Sequence, residues 1–295
     1  MCTNGEEPGG FGRGLGKHSR RGRPARMAAT LLLPSAFFLI LACAAPPAQN
    51  QNATPGTTPQ HAATPGTTST QAATVEGDVR ITPITHASFQ LEYGGKVIHV
   101  DPTSAGDYSA AKQADLVLVT DIHGDHLDPA AIARVRKAGA PVVAPAAAAD
   151  KIESPTVMAN GETKTVGGVS IEAVPMYNLQ RGPSAGQLFH TKGRGNGYVL
   201  TLGSQRVYVA GDTECIDEMR ALKNIDIAFV PMNLPYTMPP SETAGCVKAF
   251  RPKVVFPYHY RGQNPEEFKT ALKGEPVEVR LLEWYPPKPA GGAKQ

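Results

Sequence analysis

The chain has 295 residues and a formal net charge of +3. This charge comes from the first 43 residues, which hold six Lys and Arg residues against two Glu residues. The remaining residues comprise 23 basic and 24 acidic side chains, a net charge of −1. They offer no broad basic surface, so we expect no nucleic-acid partner.

Residues 1–43 have the pattern of a secretory leader. A basic segment precedes the apolar stretch Met27–Ala42, which is short and contains Pro34, so a signal peptide is favoured over a spanning helix. The order Ile-Leu-Ala-Cys at 40–43 resembles a bacterial lipobox, in which the cysteine carries a lipid. We expect a membrane anchor on Cys43 and an extracytoplasmic location in the periplasm or cell envelope. The alternatives are cleavage without a lipid and a retained anchor.

Residues 44–78 are predicted to form a disordered linker. They are rich in Ala, Thr and Pro, and Ala-Thr-Pro-Gly-Thr-Thr occurs at 53–58 and again at 63–68. With few large apolar side chains, this segment cannot offset the entropy lost on ordering. Residues 79–295, roughly 220 residues, then form one folded domain.

The folded part begins with a predicted β-meander and continues with alternating strands and helices. Strands are expected at 79–84, 89–93, 96–100, 115–120, 198–202, 206–210, 225–231 and 253–257. Gly94-Gly95 predicts a hairpin turn. One helix is expected from Pro129 to Lys137 with Asp128 as its cap, and another from Glu242 to Phe250 with Ser241 as its cap. No Gly-x-Gly-x-x-Gly follows the first strand, so an α/β sandwich fits better than a dinucleotide-binding sheet.

His and Asp residues, whose side chains are common metal ligands, follow several predicted strands. The segment Asp-Ile-His-Gly-Asp-His at 121–126 follows one strand, Asp212 follows a second and His259 follows a third. Sites in open α/β sheets form at the carboxyl ends of strands, so these ligands should converge. Imidazole and carboxylate groups bind Zn²⁺, Mn²⁺ or Fe²⁺, and two such cations sharing a carboxylate can hold a hydroxide near neutral pH.

The ordered motifs resemble the metallo-β-lactamase superfamily, whose signature is His-x-His-x-Asp-His followed by a distant His, a bridging Asp and a last His. The matching positions are Asp121, His123, Asp125, His126, Asp212 and His259. The chain looks most similar to the branch that contains ascorbate-phosphate lactonase and N-acyl-phosphatidylethanolamine phospholipase D, through the segments at 85–88, 100–102 and 209–213. The resemblance spans roughly residues 80–260. It implies a four-layer αβ/βα sandwich and a metal-dependent hydrolase.

Two positions depart from the family pattern. Asp121 stands at the first histidine position, and Met-Tyr-Asn at 176–178 stands where many relatives have the intermediate histidine. His190 and Asn178 are the candidates for the missing ligand, and we expect His190 because imidazole is the better ligand for first-row cations. The resemblance then implies a first metal on Asp121, His123 and His190, and a second on Asp125, His126 and His259, with Asp212 bridging. Two Zn²⁺ are expected, and the added carboxylate also favours Mn²⁺ or Fe²⁺.

Structural roles compete with the ligand roles at several positions. Asp121 could cap a turn, His190 could be a surface histidine, and His86 could serve the site or a structural hydrogen bond. We expect Asp101 to support the ligands rather than bind metal, and His99 to pack within its sheet. Cys215 is expected to be a small buried hydrophobe rather than a nucleophile, and nothing indicates whether Cys215 and Cys246 pair.

The implied mechanism is attack by a metal-held hydroxide on an ester, lactone or phosphodiester. The residues expected to carry catalysis are Asp125, as ligand and proton acceptor, and His126. The residues expected to contact substrate are Tyr177, Lys192, Arg194, Tyr236 and Arg261. Three of them are cationic, which suggests a small anionic substrate. The rival hypotheses are a non-catalytic metal- or ligand-binding lipoprotein on the same fold and redox di-iron chemistry.

Overall fold

The computed structural model describes residues 73–285. The predicted signal peptide with Cys43, most of the predicted linker and the last ten residues lie outside this range. Within residues 73–285, no helix combines the length and the apolar character that crossing a membrane requires.

The first sheet contains seven strands in chain order. They are β1 (Thr74–Glu76), β2 (Val79–Thr85), β3 (Ser88–Tyr93), β4 (Lys96–Val100), β5 (Leu116–Leu118), β6 (Val142–Ala144) and β7 (Thr156–Val157). Strands β1 to β4 pair antiparallel and strands β4 to β7 pair parallel. The meander predicted at the start of the domain is therefore one half of this sheet.

Strand β1 lies inside the segment predicted as linker, so the boundary at residue 78 is placed too late. Thr74–Glu76 pairs with Val79–Ile81 across a tight turn in which Gly77 has a φ of +55°. A three-residue edge strand has too little alternation of apolar and polar residues to stand out in sequence. The ordered domain includes residues from Thr74 onward.

The second sheet also has seven strands, in the order β14-β13-β12-β11-β10-β9-β8. They are β8 (Thr163–Val166), β9 (Val169–Met176), β10 (Gly195–Leu202), β11 (Gln205–Val209), β12 (Ile227–Pro231), β13 (Val254–Tyr258) and β14 (Glu278–Val279). Strands β8 to β11 pair antiparallel and β11 to β14 pair parallel. Each sheet therefore has an antiparallel half and a parallel half.

Four α-helices and one 3₁₀ helix complete the described chain. They are α1 (Pro129–Val135), the 3₁₀ helix (Ala146–Lys151), α2 (Asp217–Arg220), α3 (Pro240–Phe250) and α4 (Pro265–Ala271). Asp128 caps α1 as predicted, because its Oδ1 accepts hydrogen bonds from the Ala130 and Ala131 amides. The predicted cap of α3 is wrong. Pro240 already begins the helix, since its fixed φ suits a first helical position, and Ser241 lies in the first turn.

Three apolar clusters define the layers. The central one joins buried side chains of both sheets, among them Phe89 and Ile98 from the first sheet and Leu200 and Phe229 from the second. Helix α1 packs on the outer face of the first sheet. Helices α2, α3 and α4 pack on the outer face of the second. This order of helix, sheet, sheet and helix confirms the predicted αβ/βα sandwich.

Candidate metal centre

The motif loop at 121–126 leaves the first sheet beyond β5 and meets segments from the ends of other strands. Asp101 follows β4, Asp212 follows β11 and His259 follows β13. Gly211 has a φ of +66° and turns the chain after β11, so that Asp212 enters the same space. Both parallel halves thus direct their carboxyl ends to one site, as expected for this class of sheet.

One group of donors surrounds Asp212. The Nε2 atom of His126 lies 3.4 Å from Asp212 Oδ2, and the Nε2 atom of His259 lies 3.5 Å from Asp212 Oδ1. The Asp125 carboxylate completes the group, with Oδ2 at 3.3 Å from His259 Nε2 and Oδ1 at 3.9 Å from His126 Nε2. This is the donor set expected for the second metal.

A second group of donors lies on the other side of Asp212. The Nδ1 atom of His123 is 2.7 Å from Asp121 Oδ2, and the Nε2 atom of His190 is 3.9 Å from the same oxygen. His190 Nε2 also lies 3.3 Å from Asp212 Oδ2. Asp212 therefore stands between both groups, in the position of a bridging carboxylate.

The donor sets fit divalent cations. His126 Nε2, His190 Nε2 and Asp212 Oδ1 are buried and form no hydrogen bond. Buried polar atoms without hydrogen-bond partners are rare and costly, so three of them within the two donor groups fit side chains that bind cations. The clusters Asp121-His123-His190 and His126-Asp212-His259 each bring their donor atoms within 4.8 Å of one another. Imidazole and carboxylate donors at this spacing suit zinc, manganese or iron.

Within the centre, burial shifts the pKa of each ionisable group in one direction, and close partners of opposite charge shift it in the other. Burial raises the pKa of Asp121, but the His123 hydrogen bond and nearby positive charge outweigh it and leave this pKa at about 2. Burial lowers the pKa of His126, but the Asp212 and Asp101 carboxylates reverse this and hold it well above its usual value. A cation held by His126 Nε2 would displace any proton from that nitrogen.

Asp101 stands behind His126 rather than in the donor sets, as expected from the sequence. Its fully buried carboxylate accepts hydrogen bonds from the Thr120 amide at 2.7 Å and the Thr120 hydroxyl at 2.6 Å. It also accepts from His126 Nδ1 at 2.8 Å. A donor at Nδ1 leaves Nε2 of His126 free to bind metal. Asp101 thus fixes the tautomer and the orientation of this ligand.

Asn178 orients His190 in the way that Asp101 orients His126. The two residues that the sequence offered as candidates for the missing ligand therefore have different roles. The Asn178 Oδ1 atom accepts hydrogen bonds from both the amide and Nδ1 of His190, each at 2.8 Å. Its Nδ2 donates to the Glu214 carboxylate and to the Tyr236 carbonyl, which settles the amide orientation. Asn178 therefore holds His190 so that Nε2 faces Asp121 and Asp212.

The cationic residues predicted to contact substrate have local partners. Both Nε and Nη2 of Arg194 bond to the Asp121 carboxylate, at 3.2 and 3.1 Å. The ammonium of Lys192 lies 2.6 Å from Glu218, which also accepts from the Tyr177 hydroxyl. The Arg194 fork offsets the negative charge that Asp121 adds at a position where the family signature has a neutral histidine. Sequence could not reveal this pairing, because 73 residues separate the two side chains.

The other two predicted substrate contacts lie at the surface. Tyr236 is exposed and its ring packs edge-on against Phe189 at 4.9 Å. The guanidinium of Arg261 lies 5.8 Å from the centroid of the Tyr285 ring. His123 and Asp125 are the half-exposed members of the donor sets, so the centre is open to solvent on their side.

His86, for which the sequence left a role at the site and a structural role open, belongs to this site, and so does Tyr285, which the sequence did not single out. His86 sits in the turn between β2 and β3 with a φ of +50°, and its ring stacks on His259 with centroids 3.7 Å apart. Burial lowers the pKa of His86 to about 4. Asp101 and His259 likewise have positive φ values of +44° and +47°. Such backbone conformations cluster at functional sites, but sequence patterns do not show them for residues other than glycine.

Two other side chains resolve questions left by the sequence. His99 packs inside the first sheet, where its Nε2 bonds to the Lys112 carbonyl at 2.8 Å. Cys215 and Cys246 form a disulfide with their Cα atoms 5.5 Å apart. Cys215 is therefore a half-buried, disulfide-bonded residue and not the small buried hydrophobe expected from the sequence, and the bond ties the loop after Asp212 to α3.

Comparison with known proteins agrees with this geometry. Residues 80–259 match the Beta-lactamase superfamily domain. A UPF0173 metal-dependent hydrolase of Thermococcus kodakarensis is 35% identical over 224 residues, which cover 70% of this chain and 96% of the relative. A Parabacteroides distasonis protein named a metal-dependent hydrolase has a crystal structure with 44% identity and a TM-score of 0.66, covering 70% of this chain and 94% of its own.

A more distant structure supports the fold alone. The metallo hydrolase Igni18 of Ignicoccus hospitalis is 23% identical with a TM-score of 0.57, covering 69% of this chain and 94% of its own. The sandwich, the His and Asp clusters at its strand ends and these relatives lead to one assignment. The chain belongs to the metallo-β-lactamase superfamily and is a metal-dependent hydrolase.

Proposed function

We propose that the protein hydrolyses an ester, a lactone or a phosphodiester with two divalent cations, Zn²⁺ in the first instance and Mn²⁺ or Fe²⁺ as alternatives. The observation that carries the proposal is the position of Asp212 between the two donor groups, within 3.3 to 3.5 Å of His190, His126 and His259. Bound cations would lower the pKa of a water molecule and stabilise negative charge on the substrate oxygen.

The side chains around the centre have separable tasks. Asp125 is half-exposed and lies on the side of the centre that is open to solvent, which suits both metal binding and acceptance of a proton from water. His126 is fully buried and serves as a ligand held by Asp101. The support for this division is burial, since only an accessible carboxylate can exchange protons with substrate and solvent.

The rim of the centre bears on the substrate class. Leu179, Leu234 and Tyr236 are exposed, although large apolar side chains are usually buried. The backbone of Leu179 and that of Tyr236 adjoin Asn178, the residue that holds His190, because Leu179 follows it in the chain and the Tyr236 carbonyl accepts from its amide. The support is that these exposed apolar residues lie close in the chain or by a backbone contact to Asn178. We therefore place uncharged esters and lactones with short alkyl or aryl groups first in a substrate screen.

The proposal also includes anionic substrates, and the charges around the centre indicate where their anionic group would bind. Arg194 and Lys192 are paired with Asp121 and Glu218, so their charges are largely compensated within the protein. Arg261 lies against Tyr285, which contacts His86 beside Asp125. This side of the centre is where we expect a phosphate or carboxylate group to bind.

The test combines metal analysis with a chromogenic screen. The protein is loaded with Zn²⁺, Mn²⁺ or Fe²⁺ and assayed on nitrophenyl esters of increasing chain length, chromogenic lactones and bis-nitrophenyl phosphate. We expect turnover of one class that is lost in His126→Ala, with Asp115→Asn as a surface control. Tight binding of metal with no turnover of any class in the screen would favour the alternative of a metal- or ligand-binding lipoprotein.

We further propose that the mature protein is attached to a membrane outside the cytoplasm through a lipid on Cys43. The support is the leader pattern at 1–43 and the lipobox-like order at 40–43. Cys43→Ser should abolish lipid labelling and release the protein from the membrane fraction. Unchanged processing and partitioning of Cys43→Ser would contradict the proposal.

A further inference from the structure

His86 is placed where it touches the metal centre and a segment far along the chain. Its Nε2 atom lies 3.3 Å from Asp125 Oδ2, and its ring stacks on His259. Its other ring nitrogen, Nδ1, lies 2.6 Å from the Tyr285 hydroxyl. His86 is buried, so these contacts account for both nitrogens of its ring.

The polar contacts of His86 fit one tautomer, with the ring proton on Nε2. A hydrogen bond between the two would place the proton on His86 Nε2, because an ionised Asp125 carboxylate has no proton to give. A neutral ring then has a bare Nδ1, which must accept a hydrogen bond. Tyr285 supplies it, because its oxygen already accepts from the Tyr260 amide at 3.0 Å and its hydroxyl proton is free to point at Nδ1.

We propose that His86 is a positioning residue of the metal centre, which donates a hydrogen bond to Asp125, and that Tyr285 sets His86 in the tautomer that makes this donation. The proposal requires the metal centre alone and does not depend on which substrate is cleaved. It differs from a ligand role, which the proximity of His86, Asp125 and His259 also allows. A ligand would need a bare Nε2, whereas a hydrogen bond to Asp125 needs a proton there, so the two roles exclude each other and can be told apart by substitution.

The C-terminal segment is built to hold Tyr285 in place. Trp284 is fully buried, and its ring packs edge-on against Phe89 at 5.8 Å and against Phe229 at 6.5 Å. The Trp284 carbonyl accepts a hydrogen bond from the His86 amide at 3.4 Å. Tyr285 lies beyond the residues that match the superfamily domain, which end at 259.

The test exploits the difference between a hydrogen-bond donor and a ligand. In His86→Gln the side-chain amide reaches the place of Nε2 and can donate to Asp125, but a neutral amide is a poor ligand for zinc. In His86→Ala the donor is lost. Tyr285→Phe removes the hydroxyl alone, and Tyr260→Phe is its control, since the Tyr260 hydroxyl bonds to the Leu282 carbonyl instead.

The measurement is stepwise binding of Zn²⁺ to the full chain in competition with a chromophoric chelator, with the melting temperature recorded for each variant. We expect His86→Ala to weaken the more weakly bound ion about 10- to 100-fold, the usual effect of losing a group that orients a ligand. His86→Gln should recover most of that loss, Tyr285→Phe should show a smaller loss, and Tyr260→Phe should bind as the wild type does.

Three results would overturn the proposal. Wild-type zinc affinity in His86→Ala would remove any role for His86 at the centre. Loss of one ion in His86→Gln as complete as in His86→Ala would make His86 a ligand. Equal affinity in Tyr285→Phe and Tyr260→Phe would show that the Tyr285 hydroxyl does not set the tautomer, and this conservative pair keeps the test valid should His86→Ala unfold.

Discussion

Replacement of Asp101 by asparagine tests how the ligand His126 is prepared for metal. Asp101→Asn keeps the size of the side chain but puts an amide nitrogen in place of one oxygen. With nitrogen at the Oδ2 position, it donates toward His126 Nδ1, so the histidine proton moves to Nε2, where the metal belongs. With nitrogen at the Oδ1 position, it opposes the Thr120 amide, and two donors face each other in a fully buried place.

Either orientation costs metal affinity. The carboxylate accepts three hydrogen bonds, at 2.7, 2.6 and 2.8 Å, and asparagine cannot accept all three with both of its polar atoms. Loss of a group that orients a metal-binding histidine reduces affinity about 10- to 100-fold, which corresponds to about 1.4 to 2.8 kcal/mol. We expect a loss of this size in Zn²⁺ affinity for Asp101→Asn.

The assay is chelator competition at fixed pH, with circular dichroism to show that the variant is folded. Asp115→Asn is a matched control, because Asp115 also accepts from a backbone amide, that of Val97, and from a side chain, that of Lys137, but at the surface of the same sheet. Zinc affinity should be unchanged in this control. Wild-type affinity and stoichiometry in a folded Asp101→Asn protein would refute the reasoning about the His126 tautomer.

Three further predictions follow from the same geometry. Asp212→Ala should lose tight binding of both ions, because it removes the one anion that both donor groups share, and two ions per chain by elemental analysis would contradict this. Asn178→Ala should weaken Zn²⁺ binding about 10- to 100-fold, because it frees the His190 ring, and a titration curve that overlays the wild type would count against that role. Replacing Cys215 and Cys246 by serine should lower the free energy of unfolding by about 3 to 4 kcal/mol, since the disulfide closes a loop across a sequence separation of 31. A change below about 1 kcal/mol in denaturant unfolding would contradict that estimate.

The fold could be predicted because its signals are local and repeated. Short apolar runs bounded by Gly and Pro mark eight of the fourteen described strands, and the motif at 121–126 begins three residues after the end of the buried strand β5 (Leu116–Leu118). The helix cap at Asp128 was likewise evident from a capping residue followed by proline. The edge strand β1 was missed, since three residues carry no recognisable period.

The site was predictable at its ligands and much less so in what surrounds them. Ligands belong to short motifs, whereas the groups that orient them come from distant parts of the chain. The contact of His86 with Tyr285 spans 199 residues, and that of Asp121 with Arg194 spans 73. Asn178 carried a signal, because it stands where relatives have a ligand, but the sequence could not show that its side chain holds His190 instead of competing with it.

X-ray absorption spectroscopy of the zinc-loaded full chain tests the central claim most directly. The shared position of Asp212 predicts two ions per chain, each with imidazole ligands, and a metal-to-metal vector of about 3.5 to 4 Å. The same vector should be absent from Asp212→Ala. A single ion per chain at zinc saturation, or two ions without a metal-to-metal vector, would contradict a dinuclear centre bridged by Asp212.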